Sequence, residues 1–209
     1  GQSPARDPEI DVMHLAVADR RREANQILAV ELVGDAGERG AEVIARADLR
    51  VAAAALFGGV DIVINIVTLD PGPAANGTLA DVERRVCDLM LLPCLVARVA
   101  ANRMRLTHTE GLILNVAVLP PNANAATRAF AGVAKATLVA MTRSEANAWA
   151  DQGLRFNAVA PEVSSVGPRA DGTRLAGEAD VAALALYLGS GNGRNLAGHV
   201  FEAEPAWTR

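Results

Sequence analysis

Short apolar runs of strand length alternate along this chain with longer stretches of helical period, and this alternation limits the fold more than any other feature. The predicted strands are Val12–Ala18, Ala41–Ala47, Val60–Val67, Gly111–Ala117, Leu154–Val159 and Gly198–Ala203. The predicted helices are Arg21–Asp35, Leu49–Phe57, Thr78–Met104, Ala125–Asp151 and Glu178–Leu188. Strands that are apolar along their whole length are typical of a parallel sheet covered by helices on both faces. The sequence therefore predicts one three-layer α/β domain over residues 1–209, with a doubly wound parallel sheet.

The composition excludes several classes of protein. Hydrophobic residues make up 51% of the chain, which is too many for a disordered segment. The net charge of −4 argues against a nucleic-acid surface, because phosphate binding needs a basic stripe. No apolar run reaches the roughly 18 residues of a membrane span, and no secretory signal layout is present. We therefore expect an intracellular, cytoplasmic protein that binds neither nucleic acid nor membrane.

The cysteines and histidines do not have the spacing of a metal site. Cys87 and Cys94 lie seven residues apart on one predicted helix, and we expect core thiols there rather than a disulfide. His14, His108 and His199 are far from one another in the sequence and from the cysteines. The sequence therefore predicts that no metal ion is bound.

Two segments resemble sequence motifs of a known superfamily. Gly58–Asn65, which reads GGVDIVIN, is similar to the strand of short-chain dehydrogenases that reads GG-L/V-D-I-L-V-N-N-A-G. Gly153–Pro161, which reads GLRFNAVAP, is similar to their G-I-R-V-N-A-V-A-P-G, and Thr142–Ser144 and Gly198–Phe201 also resemble runs of these proteins. The chain thus resembles a degenerate member of the short-chain dehydrogenase/reductase (SDR) superfamily. This resemblance implies a Rossmann-like sheet and a nicotinamide cofactor.

The N-terminal part can be aligned with the SDR pattern in two ways. If Val12–Ala18 were the second strand, the first strand would be missing, and that strand lies in the middle of a Rossmann sheet. If Val12–Ala18 is the first strand and Ala41–Ala47 the second, the deletion falls on the third strand, at the edge. Because the loss of an edge strand disturbs a sheet least, we predict the second alignment. The fold is then a Rossmann-like sheet shortened by loss of its edge third-strand region.

In this alignment the resemblance places non-glycine residues where SDR proteins bind the cofactor diphosphate. Asp19, Glu23 and Asn25 occupy the three glycine positions of the family turn. Carboxylates at a helix N-terminus satisfy its dipole themselves and repel a phosphate. Asp48 matches the acid that binds the cofactor ribose, and Asn65 begins a sequence that departs from N-N-A-G. We therefore expect no cofactor to be bound by this chain.

The resemblance also identifies the positions of the family's catalytic residues, a Tyr-x-x-x-Lys pair, a serine and an asparagine. Lys135 falls at the lysine position, and it is the only lysine in the chain. Ala131 falls at the tyrosine position, Val118 at the serine position and Leu89 at the asparagine position. Hydrocarbon side chains neither donate nor accept a proton, so the family's general acid–base catalysis is expected to be lost.

These observations favour a non-catalytic SDR-like subunit, a pseudoenzyme that supports an active NAD-dependent SDR subunit. Two-gene members of the superfamily, such as a hydroxyacyl-CoA dehydrogenase of anaerobic toluene degradation, combine an active with an inactive subunit. The resemblance thus implies a hetero-oligomer, expected to be a heterotetramer, with NAD in the partner subunit. Two alternatives remain open. An oxidoreductase with displaced catalytic groups would bind NADH saturably. A small-ligand or acyl-CoA-binding module would keep a deep pocket lined by Val118, Ala131 and the Asp70–Gly77 loop.

Overall fold

A computed structural model of the protein describes residues 14–18, 27–32, 61–163 and 178–204. Six strands are described: β1 (His14–Ala18), β2 (Ile27–Leu32), β3 (Ile62–Thr68), β4 (Leu112–Val118), β5 (Arg155–Pro161) and β6 (Val200–Ala203). They form one sheet in the order β1-β2-β3-β4-β5-β6. Strands β2 to β6 are parallel, whereas β1 is antiparallel to β2 and forms an edge of the described sheet.

In the described part of the chain, three helices cover the sheet: α1 (Leu79–Leu106), α2 (Ala125–Trp149) and α3 (Glu178–Gly189). Short 3₁₀ turns occur at Gly72–Asn76, Ala150–Gln152 and Gly191–Gly193. Helix α1 begins with a capping box, in which the Thr78 side chain accepts from the Asp81 N–H and the Asp81 carboxylate accepts from the Thr78 N–H. Asn124 caps α2 in a similar way by accepting from the Thr127 N–H.

Helices α1 and α2 lie on one face of the sheet, and α3 lies on the other. Val63, Ile113 and Phe156 of the strands pack with residues of α1 and with Ala146 of α2. Residues of the opposite strand faces, such as Leu114, pack with residues of α3 such as Leu188. This alternation of faces along each strand gives the three-layer arrangement that the apolar strands predict. The parallel α/β fold expected from the sequence is therefore confirmed.

The N-terminal part of the sequence-based prediction is wrong. Ile27–Leu32 is a strand, although the apolar spacing there was interpreted as part of a helix over Arg21–Asp35. A short apolar run suits either element, and here parallel pairing with β3 decides, with Ile27 opposite Ile62. Strand β1 lies at an edge instead of being the central first strand. The predicted Ala41–Ala47 strand and Leu49–Phe57 helix lie outside the described residues.

Elsewhere the predicted elements agree closely with the structure. The helix predicted at Thr78–Met104 is observed at Leu79–Leu106, and the one predicted at Ala125–Asp151 ends at Trp149. Strands β3 to β6 begin and end within two residues of the predicted limits. That the whole chain is one domain stays a prediction.

Candidate functional site

The carboxyl ends of the parallel strands form the edge at which ligands bind in open α/β sheets. Strands β3, β4, β5 and β6 end there at Thr68, Val118, Pro161 and Ala203. Helix α2 begins after β4 at this edge and then packs along β5. Functional side chains are therefore expected at this edge.

Lys135 of α2 lies near this carboxyl edge and forms an ion pair with Glu202 of β6. Its Nζ is 2.8 Å from Glu202 Oε1. The Lys135 side chain is only 17% exposed, whereas that of Glu202 is 43% exposed. Glu202 stands opposite Ala160 in the sheet, one residue before the end of β5. An ammonium group has three N–H donors, and among the described residues only Glu202 accepts from one of them, which leaves two for a ligand.

Sequence reasoning identified Lys135 but missed Glu202. The available signal was a charged residue inside an otherwise apolar strand, since Glu202 interrupts the run Val200, Phe201 and Ala203. A charged side chain in such a place usually has a partner. Only the tertiary structure shows that this partner is Lys135.

The three hydrocarbon positions do not come together around one point. Ala131 is buried among α2 and strand residues, and Leu89 packs against the same cluster. Val118 packs on the other face of the sheet, with the cluster that includes residues of α3. None of the three side chains can exchange a proton, as the sequence predicts.

Asn65 lies in the middle of β3, and its contacts are structural. Its Nδ2 donates to Asn115 Oδ1 at 2.8 Å and to the Pro93 carbonyl oxygen at 3.4 Å. Asn65 and Asn115 are direct partners in the β3–β4 register, and both are buried. The side chain therefore joins two strands to α1. That Asn65 binds no cofactor stays a prediction, and these contacts place its side chain inside the packed layers.

The predicted diphosphate-repelling residues Asp19, Glu23 and Asn25 lie outside the described residues, as does Asp48. The direction of strand β1 nevertheless tests the alignment on which the prediction for Asp19, Glu23 and Asn25 rests. Because it is antiparallel, its last residue, Ala18, pairs with Ile27 at the start of β2. The carboxyl end of β1 is thus at the amino edge of the parallel strands, opposite the ligand edge. The premise that Ala18 leads into the central diphosphate turn is corrected by this strand direction.

The two cysteines are free thiols on α1. Cys87 is exposed, whereas Cys94 is partly buried. Burial raises the pKa of the Cys94 thiol, the Glu145 carboxylate raises this pKa further, and Arg98 acts in the opposite direction. Within residues 61–163 and 178–204, no group of three or more potential metal ligands is found. No helix in the described part of the chain is long and apolar enough to cross a bilayer.

An open cleft of about 320 Å³ lies between the turn after β3 and the first turns of α1. It is lined by Pro71, Pro73, Ala74, Asp81, Arg84, Arg85 and Asp88. Arg84 lies 3.7 Å from Asp81, and the Arg85 Nε donates to the Asp70 carbonyl oxygen at 3.0 Å. The cleft is lined by two cationic and two anionic side chains. It therefore has no net charge that would favour an anionic or a cationic ligand.

The sequence matches a model of the SDR family. The family described as Enoyl-(Acyl carrier protein) reductase matches residues 13–172. The chain belongs to the short-chain dehydrogenase/reductase family. Galactitol 2-dehydrogenase of Agrobacterium fabrum is 30% identical over 108 residues, which are 51% of this SDR chain and 42% of that protein. The chain thus spans less than half the length of this curated relative.

Solved structures show the same fold at lower identity. A putative short-chain alcohol dehydrogenase from Sinorhizobium meliloti 1021 has a TM-score of 0.59 and 24% identity, covering 81% of this SDR chain and 73% of that one. The 4-hydroxyisoleucine dehydrogenase complexed with NADH and succinate has a TM-score of 0.57 and 19% identity, with coverage of 84% and 79%. A short chain dehydrogenase from Burkholderia cenocepacia J2315 in complex with NADP has a TM-score of 0.55 and 24% identity, with coverage of 79% and 71%.

These comparisons contradict the expectation that the chain is not an enzyme. The matched family is named for a reductase, and the relative of 30% identity is a dehydrogenase. The expectation rested on the loss of proton-transfer groups at Ala131, Val118 and Leu89. Such a loss removes one arrangement of catalytic groups, but it leaves open an arrangement that uses other side chains at the same edge.

Proposed function

We propose that this SDR chain is an NAD(P)-linked oxidoreductase that interconverts an alcohol and a carbonyl compound. The family match over residues 13–172 carries this proposal. Further support comes from the relative named galactitol 2-dehydrogenase and from related structures with NADH and NADP. The parallel sheet adds a ligand edge with a partly buried lysine.

The side chains at this edge fit one end of a nicotinamide cofactor. When bound, the nicotinamide supplies or accepts a hydride at the reacting carbon. Lys135 is the residue that would hold it, because two of its N–H groups remain available for ribose hydroxyls. Glu202 keeps that ammonium at the strand ends. The neighbouring Ala131 is hydrocarbon, so the cofactor gains no hydrogen bond from it.

Titration with reduced nucleotides tests this function. NADH and NADPH are added to the full chain, and binding is followed by quenching of tryptophan fluorescence. Saturable binding of one of them is expected, and Lys135→Met should weaken it by roughly 5- to 50-fold through loss of charge-assisted hydrogen bonds. Lys135→Arg keeps the charge and the donors, so it is the matched control. If neither nucleotide binds saturably, the proposed function is wrong.

The substrate class is tested by turnover. Secondary alcohols, among them galactitol, are offered with NAD⁺ and NADP⁺, and the appearance of reduced nucleotide is measured. Hydroxyacyl-CoA thioesters join this panel because the matched family is named for a reductase whose substrate, an enoyl group on acyl carrier protein, is also an acyl thioester. We expect turnover of at least one of these compounds, and the ratio of kcat/KM values between the two groups then assigns the class.

We also propose that the chain assembles with a second SDR subunit, as a heterotetramer in which the partner also carries NAD. Support comes from apolar side chains on the outer faces of the two long helices: Val99 of α1 is 41% exposed and Val133 of α2 is 46% exposed. Native mass spectrometry of the co-expressed pair measures the assembly. Val99→Asp with Val133→Asp should dissociate it, whereas a chain that stays monomeric beside a normal SDR subunit would contradict this assembly.

A further inference from the structure

One side of helix α1 has a leucine at its centre, a cysteine on each side of it and opposite charges at its two ends. These side chains are Glu83, Cys87, Leu91, Cys94 and Arg98, at spacings of four, four, three and four residues. Such spacings place them in one row along an α-helix, called here the α1 stripe. Glu83, Cys87 and Arg98 are exposed, and Leu91 and Cys94 are partly buried. The α1 stripe is therefore accessible to another molecule.

The charged ends of the α1 stripe have no ion pair among the described residues. No basic residue lies three or four positions from Glu83 on α1, and no acidic residue lies three or four positions from Arg98. The neighbouring Arg84 lies 3.7 Å from Asp81 instead. Glu83 and Arg98 are thus available to a partner that presents the opposite order of charges.

The two thiols of the α1 stripe cannot form a disulfide with each other. Seven residues of α-helix separate the Cα atoms of Cys87 and Cys94 by about 10 Å. A disulfide needs Cα atoms roughly 4.4–6.8 Å apart. Both thiols are free. A disulfide at either cysteine therefore needs a thiol of another molecule.

A second copy of α1 that runs antiparallel presents the matching order of groups. The pair Cys87 and Cys94 and the pair Glu83 and Arg98 share one midpoint, next to Leu91. A two-fold axis at this point places each cysteine opposite the other cysteine of the second copy, and each charge opposite its counter-charge. Packed helix axes lie about 8–10 Å apart, and Cα atoms lie about 2.3 Å from each axis, so facing Cα atoms come within about 3.5–5.5 Å. This distance overlaps the range of a disulfide.

We propose that two copies of this chain pair through the α1 stripe and that oxidation joins Cys87 of each copy to Cys94 of the other. The oxidant is a low-molecular-weight disulfide, such as oxidised glutathione. This inference concerns assembly and does not rest on the proposed activity. A heterotetramer with two copies of this chain can include the same contact.

The cross-link forms in two steps of thiol–disulfide exchange. The exposed Cys87 thiolate attacks a sulfur of oxidised glutathione, a mixed disulfide forms, and one glutathione thiolate leaves. The Cys94 thiolate of the second copy then attacks the Cys87 sulfur, and the second glutathione thiolate leaves. Two cysteine sulfurs are oxidised, and the glutathione disulfide is reduced to two thiols, which take up the two cysteine protons. Burial and the Glu145 carboxylate raise the pKa of the Cys94 thiol, so the second step is expected to be the slower one at neutral pH.

Single cysteine variants test this register. The reduced full chain, Cys87→Ser and Cys94→Ala are each incubated with oxidised glutathione, and cross-linked dimer is measured by gel electrophoresis in SDS without reductant. The wild type should form a dimer that dithiothreitol reverses, whereas each variant alone lacks a facing pair and should stay monomeric. A mixture of the two variants should cross-link at roughly half the wild-type yield, because random pairing makes about half of the dimers from unlike chains.

Two results of this experiment would overturn the inference. The first is a wild type that stays monomeric in oxidised glutathione. The second is cross-linking of Cys94→Ala alone at the wild-type rate, because exposed Cys87 thiols would then be joining without a fixed register.

Charge reversal tests the ends of the α1 stripe. Glu83→Arg brings like charges together in the antiparallel pair and should slow cross-linking roughly two- to tenfold, as expected for exposed ion pairs. Adding Arg98→Glu to Glu83→Arg makes the charges opposite again and should restore the rate. Glu110→Arg, the same change at an exposed carboxylate before β4, is the matched control. Equal rates for Glu83→Arg and Glu110→Arg would overturn the antiparallel pairing.

The outcomes distinguish this inference from the proposed oxidoreductase function, because cross-linking needs neither nucleotide nor substrate. If the wild type binds NADH or NADPH but does not cross-link, only the inference on the α1 stripe fails. If it cross-links but binds neither nucleotide, the proposed function fails and the inference stands. Unfolding in urea verifies that each variant is folded before its cross-linking rate is compared with that of the wild type.

Discussion

A buried hydroxyl group without a hydrogen-bond partner lowers the stability of the core. Thr142 of α2 is fully buried, and its Oγ1 has no hydrogen-bond partner among the described residues. Thr142→Val replaces the hydroxyl by a methyl group of similar size and removes this unsatisfied group. The free energy of unfolding in urea should rise by about 1 kcal/mol.

The first turn of the same helix provides the control for Thr142. Thr127 is also buried, but its hydroxyl donates to Asn124 Oδ1 at 3.1 Å. Thr127→Val should therefore lower the free energy of unfolding by about 1 kcal/mol, because it removes a satisfied hydrogen bond. A similar loss of stability in both variants would show that the Thr142 hydroxyl has a partner.

His108 is a further residue at which the backbone requires an unusual conformation. Its φ of 53° lies in the left-handed region, and it follows the last turn of α1. Its N–H donates to the Arg105 carbonyl, and the Thr109 N–H donates to the Met104 carbonyl at 2.9 Å, which together form a Schellman motif. His108→Gly removes the strain of a side chain at this φ, so thermal unfolding should show stabilisation by roughly 0.5–1 kcal/mol. His108→Ala, which keeps the strain, should show no gain.

At the scale of a single element, the start of α1 is sensitive to acid. Hydrogen bonds from the Thr78 side chain and backbone hold the pKa of Asp81 below its usual range, and Arg84 lowers it further. A depressed carboxyl pKa contributes stability above the unfolded-state value, and this contribution is lost as the pH falls through the folded-state pKa. Stability should thus decrease in part through Asp81 as the pH falls through and below the usual range of an aspartate carboxyl.

The Asp81→Asn variant measures this contribution. It should be less stable than the wild type near neutral pH, and the difference should disappear in acid, when the wild-type carboxyl is also neutral. Urea unfolding at several pH values gives the comparison. Glu83→Gln, a change in the same turn outside the capping box, should keep the acid dependence of the wild type. A difference between Asp81→Asn and the wild type that persists at low pH would contradict the role of the charge.

At the scale of the whole molecule, Asn157 connects the last strand to the rest of the sheet. Its Nδ2 donates to the Leu196 carbonyl at 2.9 Å, and its Oδ1 accepts from the His199 N–H at 3.0 Å. Asn157→Ala removes both bonds in a buried place and should cost roughly 2–3 kcal/mol in the free energy of unfolding. Because β6 carries Glu202, a displaced β6 should also weaken the ion pair with Lys135. Acetic anhydride should then acetylate the Lys135 amine faster than in the wild type. An unchanged acetylation rate would show that β6 keeps its position without Asn157.

The sequence was sufficient for most elements because their local signals agree with the tertiary structure. The apolar run at β4 suits a strand buried on both faces, and Thr78 and Asn124 begin helices where capping residues are expected. The Ile27–Leu32 run was assigned wrongly from the sequence because the spacing of its apolar residues fits a helix and a strand equally. Pairing with β3 decides between them, and that contact lies between distant parts of the sequence.

From the sequence alone, the parallel sheet and helices on both of its faces could be predicted, and hydrocarbon side chains could be identified at Ala131, Val118 and Leu89. These properties follow from side-chain type and periodicity, which act locally. The tertiary structure decided the antiparallel direction of β1 and the partner of Lys135. Lys135 and Glu202 are 67 positions apart, whereas Ala18 of β1 and Ile27 of β2 are close in the chain. In neither case does a local pattern record which charge or strand a residue will meet.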